Sequence, residues 1–277
     1  MITENEIKKY QGIYLNRGED CIYIPPHTVL RPFISCYTIT YPKDMPDDYT
    51  IIPSASSTMI LSVNNDQIIN SSLRAVNTKS IVVGKSANKM RLILLIEFRP
   101  GCLYPFVKCD QSELKDNSFP LFEINRTLTN SLEKELTKAK CIDDLVSKLD
   151  VVFISCLNKN YALHNVSSMI NMIIARKGNI RMHELSDHFY YSEKHIRRMF
   201  SIYVGASPKM FSRIARVNHT LQVMKNNESY LTDTAIQSGY FDQPHFINDF
   251  RSICGIAPNE YIKNMSVFYN DEIKYHV

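Results

Sequence analysis

Two segments in the C-terminal third of the chain repeat one another about fifty residues apart. The first carries five framework positions: Ile196, Phe200, Gly205, Pro208 and Phe211. The second carries the same order of apolar, Phe, Gly, Pro and aromatic residues with the same gaps: Phe246, Phe250, Gly255, Pro258 and Tyr261. Because a small repeated unit is typical of a duplicated supersecondary module, we expect this region to fold twice in the same way.

Each repeat has the pattern of a helix, a short turn and a second helix, over about 182–204 and about 231–254. Ser192 and Asp242 can cap the second helices, since their side chains accept hydrogen bonds from free backbone N–H groups. Ser207-Pro208 then starts a connecting helix. The pattern predicts two helix-turn-helix units, which favours a chain that reads two stretches of DNA.

The second helix of the first unit has one apolar face and one polar face. Ile196, Met199 and Phe200 recur at helical intervals and are expected to bury together. The opposite face carries Lys194, Arg197, Arg198 and Ser201. Arginine can donate to N7 and O6 of guanine, and lysine can bind guanine or phosphate. An ordinary solvated face is the alternative interpretation, and the repeat favours DNA contact.

The second helix of the second unit is less basic. Phe246, Phe250 and Ile253 are expected to face inward. The candidate DNA-contacting residues are Gln243, Pro244, His245, Asn248 and Arg251. Glutamine and asparagine side chains can read adenine through paired hydrogen bonds. Residues 192–204 hold three basic residues and one acidic residue, whereas residues 242–254 hold one basic residue and two acidic residues. The first unit is therefore predicted to attract phosphate more strongly.

Composition places the chain in a broad class. Its 277 residues allow about two domains, and a net charge of +4 is by itself a weak argument for nucleic acid. Seven scattered cysteines without a CxxC motif favour reduced thiols over a disulfide framework. No apolar run approaches the roughly 18 residues of a membrane span, and the N-terminus lacks a signal-peptide core. We therefore expect a cytoplasmic protein without membrane contact.

The rest of the chain divides by pattern. Residues 1–115 predict a β-rich domain, with a hairpin near 58–69 and a buried strand at 92–98. Residues 116–165 predict two amphipathic helices, which either pack on their own domain or serve as a connector and dimer interface. Residues 166–265 are predicted to be helical, followed by a tail at 266–277. The expected fold class is α+β: a β-rich sensor or assembly domain, a helical connector, and an all-α double helix-turn-helix domain.

Residues 166–265 resemble the DNA-binding domain of AraC/XylS-type transcription regulators. The resemblance is carried by Ser192 to Phe200, Gly205-Ala206-Ser207-Pro208, Arg216, Gly239-Tyr240, Asp242 to Phe246, and Gly255-Ile256-Ala257-Pro258 with Tyr261. It implies successive major grooves read by one chain, with base contacts from Lys194, Arg197, Arg198, Gln243, His245 and Asn248. Double-stranded DNA and RNA polymerase are the partners that it implies.

The N-terminal part resembles an uncharacterised β-rich domain that often precedes this DNA-binding domain. The segments that carry the resemblance are Tyr23-Ile24-Pro25, Leu30 to Ile34 and Glu97 to Gly101. The resemblance implies no particular ligand.

Catalytic motifs are absent from the sequence. There is no HExxH, no GxSxG and no glycine-rich phosphate loop, so we expect no enzyme, no cofactor and no metal.

Cys102 and Cys109 are either buried or a redox-sensing pair with thiol pKa values lowered by nearby basic residues. Aromatic residues of the β-rich region either pack in its core or line a small-molecule pocket. The candidate effector-binding residues are Tyr37, Phe98, Arg99 and Tyr104, with Arg99 placed to meet a carboxylate.

Together these patterns predict a cytoplasmic, sequence-specific transcription regulator that responds to a small-molecule effector and forms a homodimer. The competing hypothesis is a constitutive regulator whose N-terminal domain only dimerises and binds no ligand. A third is an enzyme fused to a DNA-binding module.

Overall fold

The computed structural model describes residues 2–18, 20–43, 50–157, 164–226 and 231–263. The N-terminal part is built mainly of strands: β1 (Asn16–Arg17), β2 (Cys21–Ile24), β3 (Ile34–Thr40), β4 (Thr50–Ile51), β5 (Thr58–Asn64), β6 (Gln67–Arg74), β7 (Ile81–Val82), β8 (Leu92–Phe98) and β9 (Ser118–Pro120). Its helices are α1 (Glu4–Lys9), α2 (Tyr104–Val107), α3 (Gln111–Leu114), α4 (Leu121–Lys138) and α5 (Ile142–Cys156). A 3-10 helix at Gly84–Lys89 precedes β8.

Seven strands form one antiparallel sheet in the order β1-β2-β3-β8-β5-β6-β9, and β4 pairs with β7 separately. The hairpin expected near 58–69 is confirmed as β5 and β6. Asn65 and Asp66 turn it with positive φ angles of 48° and 60°, as a tight hairpin turn requires. In the centre of the sheet Tyr37 lies opposite Ile96, so both side chains point to the same face.

The two helices after the sheet pack on the domain that precedes them. Their apolar stripes are buried in the same core as the sheet; the stripe residues are Leu121, Leu128, Leu132, Leu136, Leu145, Leu149 and Phe153. The ring of Phe153 lies 6.3 Å from that of Tyr37 and 6.0 Å from that of Phe98. Of the two alternatives for these helices, the structure shows packing on their own domain.

The C-terminal part is helical, which confirms the expected α+β division. Its helices are α6 (His164–Ala175), α7 (Met182–Phe189), α8 (Glu193–Val204), α9 (Pro208–Asn226), α10 (Leu231–Gln237), α11 (Gln243–Cys254) and α12 (Pro258–Lys263). The expected tail at 266–277 lies outside the described residues. So does the segment 158–163 between α5 and α6.

A second hydrophobic core lies among these helices. It is built around Met169, Ile173, Phe200, Phe211 and Phe250, and it also includes Ile52, Ala55 and Val76 from the N-terminal part. The two parts of the chain therefore share buried apolar surface. Within the described ranges, no helix combines the length and the hydropathy needed to cross a bilayer.

Candidate nucleic-acid interface

The first helix-turn-helix unit consists of α7 and α8. Tyr190 ends α7 in the left-handed conformation, with φ of 56°. The Ser192 hydroxyl then accepts a hydrogen bond from the His195 backbone N–H at 3.2 Å, which caps α8. At the other end, the N–H of Gly205 donates to the carbonyls of Phe200 and Ser201, and φ of 78° makes glycine the suitable residue.

The second unit, α10 and α11, repeats this construction. The Asp242 carboxylate accepts from the His245 backbone N–H at 2.7 Å and places negative charge at the N-terminus of α11. Gly255 ends α11 with φ of 76°, and its N–H donates to the carbonyl of Arg251. The two predicted caps are thus confirmed.

The apolar faces are also as expected. Ile196, Met199 and Phe200 of α8 are buried, as are Phe246, Phe250 and Ile253 of α11. Burial of these faces fixes how each second helix is rotated, so their polar faces point outward.

The structure places the candidate DNA-contacting residues on those polar faces. On α8, Lys194, Arg197 and Arg198 are exposed and Ser201 is half-buried. On α11, Gln243 is half-buried, and the exposed residues are Pro244, His245, Asn248 and Arg251. The Arg197 guanidinium pairs with Glu193 one turn away at 2.6 Å. That pair is surface-exposed, so exchanging it for a nucleic-acid contact costs little.

One acidic residue of α11 has a role that the sequence did not indicate. Asp249 is buried, and its Oδ1 accepts a hydrogen bond at 2.7 Å from Nε of Arg213 on α9. Arg213 also donates to the Ser252 hydroxyl, and the Tyr240 hydroxyl donates to Oδ2 of Asp249 at 3.3 Å. Burial, with Asp249 nearby, raises the pKa of Tyr240 above its usual range. The network fixes α11 to the connecting helix.

The two units also touch each other directly. The side-chain amide of Asn179, just before α7, donates to the Ser238 carbonyl at 3.1 Å. A Cβ on Gly239, where φ is +80°, would lie 2.3 Å from that amide, so glycine permits the close approach. Arg216 of α9 lies over the Tyr240 ring, 5.3 Å from its centroid, and donates to the Gly178 carbonyl. These contacts join the two units.

A basic groove lies between the units. Its volume is about 450 Å³, and its lining includes residues at the start of α7, at the start of α9 and on α11. The charged residues and the histidine of this lining are Arg181, Lys209, Arg213, Arg216, His245 and Asp249. Asp249 is already paired with Arg213, so the groove presents net positive charge where helix N-termini also favour anions.

The candidate effector-binding residues contact other parts of the chain. Tyr37 and Phe98 are buried against α5, where the Tyr37 hydroxyl donates to Asp150 at 2.9 Å. Arg99 donates to the Arg31 carbonyl, and the Tyr104 ring packs edge-on against Tyr203 of α8. Core packing, the alternative interpretation of the aromatic residues, accounts for Tyr37 and Phe98.

The redox hypothesis requires lowered thiol pKa values for Cys102 and Cys109, and both are raised instead. Cys102 is only 3% exposed, and burial raises its thiol pKa to about 12, against a lesser opposing effect of Arg99. Burial also raises the pKa of Cys109. Thiols that stay protonated are poor nucleophiles. Among the described residues, no group of three or more histidine, cysteine, aspartate or glutamate side chains could hold a metal ion.

Two domain families match the chain. Residues 185–264 match the helix-turn-helix domain family HTH_18, of the AraC type. Residues 23–120 match a domain of unknown function, DUF6597. The resemblance recognised for the C-terminal part is confirmed, as is a β-rich domain before it.

Curated relatives match over a short stretch of the chain. An uncharacterized HTH-type transcriptional regulator of Escherichia coli K12, YidL, is 33% identical over 73 residues, which are 26% of this chain and 25% of that protein. The HTH-type transcriptional regulator ArgR of Pseudomonas aeruginosa is 23% identical over 77 residues, 28% of this chain and 23% of that protein. The matches thus span about a quarter of the length of either relative.

Solved structures of similar shape include ToxT from Vibrio cholerae. One ToxT structure has 13% sequence identity and a TM-score of 0.43, covering 80% of this chain and 96% of that chain. Another, bound to (E)-4-(8-methylnaphthalen-1-yl)but-3-enoic acid, has 14% identity and a TM-score of 0.45, covering 80% and 97%.

Proposed function

We propose that this chain, whose AraC-type helix-turn-helix domain follows a DUF6597 domain, is a sequence-specific DNA-binding transcription regulator. The observation that carries the proposal is the pair of capped, inward-anchored helices α8 and α11, each with a polar outer face. A helix of this kind fits the major groove, and two on one body can read adjacent grooves.

The two outer faces suit different roles. Lys194, Arg197 and Arg198 on α8 supply guanine and phosphate contacts, whereas Gln243 and Asn248 on α11 supply paired donors and acceptors for adenine. We propose that α8 contributes most of the affinity and that α11 adds discrimination. The groove around Lys209 extends the basic surface between them.

The test is binding of the full-length chain to duplexes selected from a random pool. We expect an enriched sequence that is bound about 10³-fold or more tightly than scrambled duplex at physiological salt. Equal affinity for selected and scrambled duplexes would leave a nonspecific DNA-binding protein and end the proposal. Replacing Lys194 and Arg198 together by glutamine, with the fold checked by circular dichroism, separates specific binding from background.

We also propose that a small-molecule effector adjusts this binding through the N-terminal domain. The face of the sheet that points away from α4 and α5 carries buried polar groups. On this face the Thr38 hydroxyl donates to Glu97 at 2.8 Å. On the same face, the buried Thr40 hydroxyl has no hydrogen-bond partner among the described residues. Because buried polar groups are normally satisfied, this face suits a ligand with hydrogen-bonding groups.

The alternative is a constitutive regulator whose N-terminal domain only dimerises. The observation in its favour is that Tyr37, Phe98, Arg99 and Tyr104 are engaged in separate contacts. A thermal-shift screen with small polar metabolites separates the two hypotheses, since a ligand that binds the folded state raises the melting temperature. If no compound in the screen raises the melting temperature, the constitutive alternative is supported.

Contact with RNA polymerase is part of the proposal. The second unit exposes two large apolar side chains, Ile236 and Phe241, the latter 89% exposed. An exposed apolar surface of this kind suits a protein partner bound at the same promoter. A homodimer likewise stays a prediction, and its test is given below.

A further inference from the structure

The second helix of each unit, α8 or α11, is here called a recognition helix. Both recognition helices end against the N-terminal domain, at equivalent positions of the repeat. Beyond the end of α8, a Cβ on Gly205 would lie 2.7 Å from the backbone oxygen of Gln111 on α3. Beyond the end of α11, a Cβ on Gly255 would lie 3.1 Å from the Ser80 hydroxyl. The Ser80 backbone N–H donates to the Ile253 carbonyl at 3.1 Å. The glycines that end the two helices therefore also allow the N-terminal domain to approach closely.

The two domains also share an apolar, buried contact. Ile52, Ala55 and Val76 are buried in the same core as α8, α9 and α11. Asn218 of α9 donates to the Pro53 carbonyl at 2.9 Å. Removing this contact would expose apolar surface on both domains. Burial of that surface therefore holds the domains together in addition to the two hydrogen bonds.

The two contact points are tied to each other on the N-terminal side. The Asp116 carboxylate accepts from the Thr78 backbone N–H at 2.6 Å and from the Thr78 hydroxyl at 3.0 and 3.1 Å. The Asp116 N–H in turn donates to the Val76 carbonyl at 2.8 Å. The segment 76–80, which contacts α11, is thereby fixed to the segment 111–116, which contacts α8.

We propose that residues 76–80 and 111–116, joined through Thr78 and Asp116, form a bridge that holds the two recognition helices at one separation. The bridge acts at the C-terminal ends of α8 and α11, whereas the Arg213–Asp249 pair and the Asn179–Gly239 contact act elsewhere. The residues of the bridge, which belong to the N-terminal domain, are positioning residues for DNA recognition. This inference rests on the proposed function, since it states how the same interface selects its DNA.

The consequence is a fixed distance between the two sequences that one chain reads. One inserted base pair moves the second sequence by about 3.4 Å and rotates it by about 35° around the duplex. A rigid pair of helices cannot follow that change, whereas a pair released from the bridge can follow it partly. The bridge therefore sets the tolerated spacing and leaves the base contacts themselves unchanged.

The experiment compares full-length Asp116→Gly with the native chain. Glycine suits the φ of 59° at this position and removes the carboxylate that holds Thr78. Asp66→Gly is the matched control, because Asp66 has a φ of 60° at the β5–β6 turn, in the same domain. Affinity is measured for the selected duplex and for duplexes with one base pair inserted or removed between the two contacted sequences.

We expect the native chain and Asp66→Gly to lose about tenfold or more in affinity when the spacing changes. Asp116→Gly should lose no more than about threefold, with the preference for the central bases of each sequence retained. An unchanged spacing penalty in a folded Asp116→Gly chain would overturn the bridge. If that variant fails to fold, Thr78→Val is measured in the same way; it replaces the hydroxyl by a methyl group and keeps the backbone N–H bond to Asp116. The spacing penalty should then fall in part, and an unchanged penalty would overturn the bridge. Failure of the native chain to select any sequence would instead overturn the proposed function.

Discussion

The Arg213 guanidinium of α9 pairs with the Asp249 carboxylate of α11, with 2.7 Å between Nε and Oδ1. The carboxylate is buried and the guanidinium is 30% exposed. The second recognition helix is therefore anchored to the connecting helix by a charged contact as well as by Phe246 and Phe250. A charge of this kind is costly to leave without its partner.

Asp249→Asn should destabilise the C-terminal domain by about 1–3 kcal/mol, since it leaves the Arg213 charge partly buried and uncompensated. The lower part of the range applies because solvent reaches Arg213. Urea unfolding of the full-length chain, followed by circular dichroism, measures the loss.

Glu193→Gln is the matched control, because it breaks an arginine–carboxylate pair in which Arg197 is 60% and Glu193 44% exposed. That change should cost less than about 1 kcal/mol. Equal losses in the two variants would contradict the anchoring role of Asp249.

The sequence predicted the recognition helices well because their signals are local. Caps such as Ser192 and the spacing of Ile196 and Phe200 are read within one helix and its ends. The partner of Asp249 could not be found in this way. Arg213 lies 36 residues away on another helix, and only the packing of α9 against α11 brings the two together.

The N-terminal domain shows the same limit. The sheet and its hairpin follow from alternating patterns, but an aromatic residue in a strand does not reveal what covers it. Tyr37 and Phe98 were candidates for a ligand pocket, and Phe153, more than fifty residues later, fills that space. The contact of Ser80 with α11 likewise depends on the docking of two domains.

Arg198→Ala should reduce discrimination between the selected duplex and single-base variants by about 1–3 kcal/mol at the contacted base pair. The reason is that Arg198 is exposed on the outer face of α8, where a guanidinium can bind guanine through two hydrogen bonds. Anisotropy titrations with the selected duplex and each single-base variant measure it. Arg126→Ala, an exposed arginine on α4, is the control. Uniform weakening at every sequence would assign Arg198 to phosphate.

Cys102 should resist alkylation in the native chain. At pH 8.5 a thiol with a pKa of about 12 is almost entirely protonated, and only the thiolate reacts. Reactivity should appear when the chain unfolds. Cys141, which is exposed, should react readily under the same conditions. Mass spectrometry after iodoacetamide treatment compares the two, and equal labelling would contradict the burial of Cys102.

The full-length chain is predicted to be a homodimer through residues before 166. The apolar stripes of α4 and α5 that first suggested this are covered by their own sheet, so another surface must supply the contact. Val151 and Ile154 on α5 remain exposed, at 68% and 38%. Light scattering at micromolar concentration should give twice the mass of one chain, and Val151→Asp should give one. Ile69→Asp, on β6, is the control, and a monomeric native chain would end the prediction.

Lys209→Gln should reduce the salt dependence of DNA binding. Lys209 is exposed at the start of α9, on the basic groove between the two units. We expect the backbone of a duplex that spans both units to pass there. If its ammonium group binds one phosphate, the slope of log K against log salt should fall in magnitude by about 0.9. Base preference should stay unchanged, because a phosphate contact carries no sequence information. Lys134→Gln on α4 removes the same charge from an exposed site in the N-terminal domain and should leave the slope as it is. An equal fall in both variants would assign the effect to the net charge of the chain, and the groove would then have no part in binding DNA.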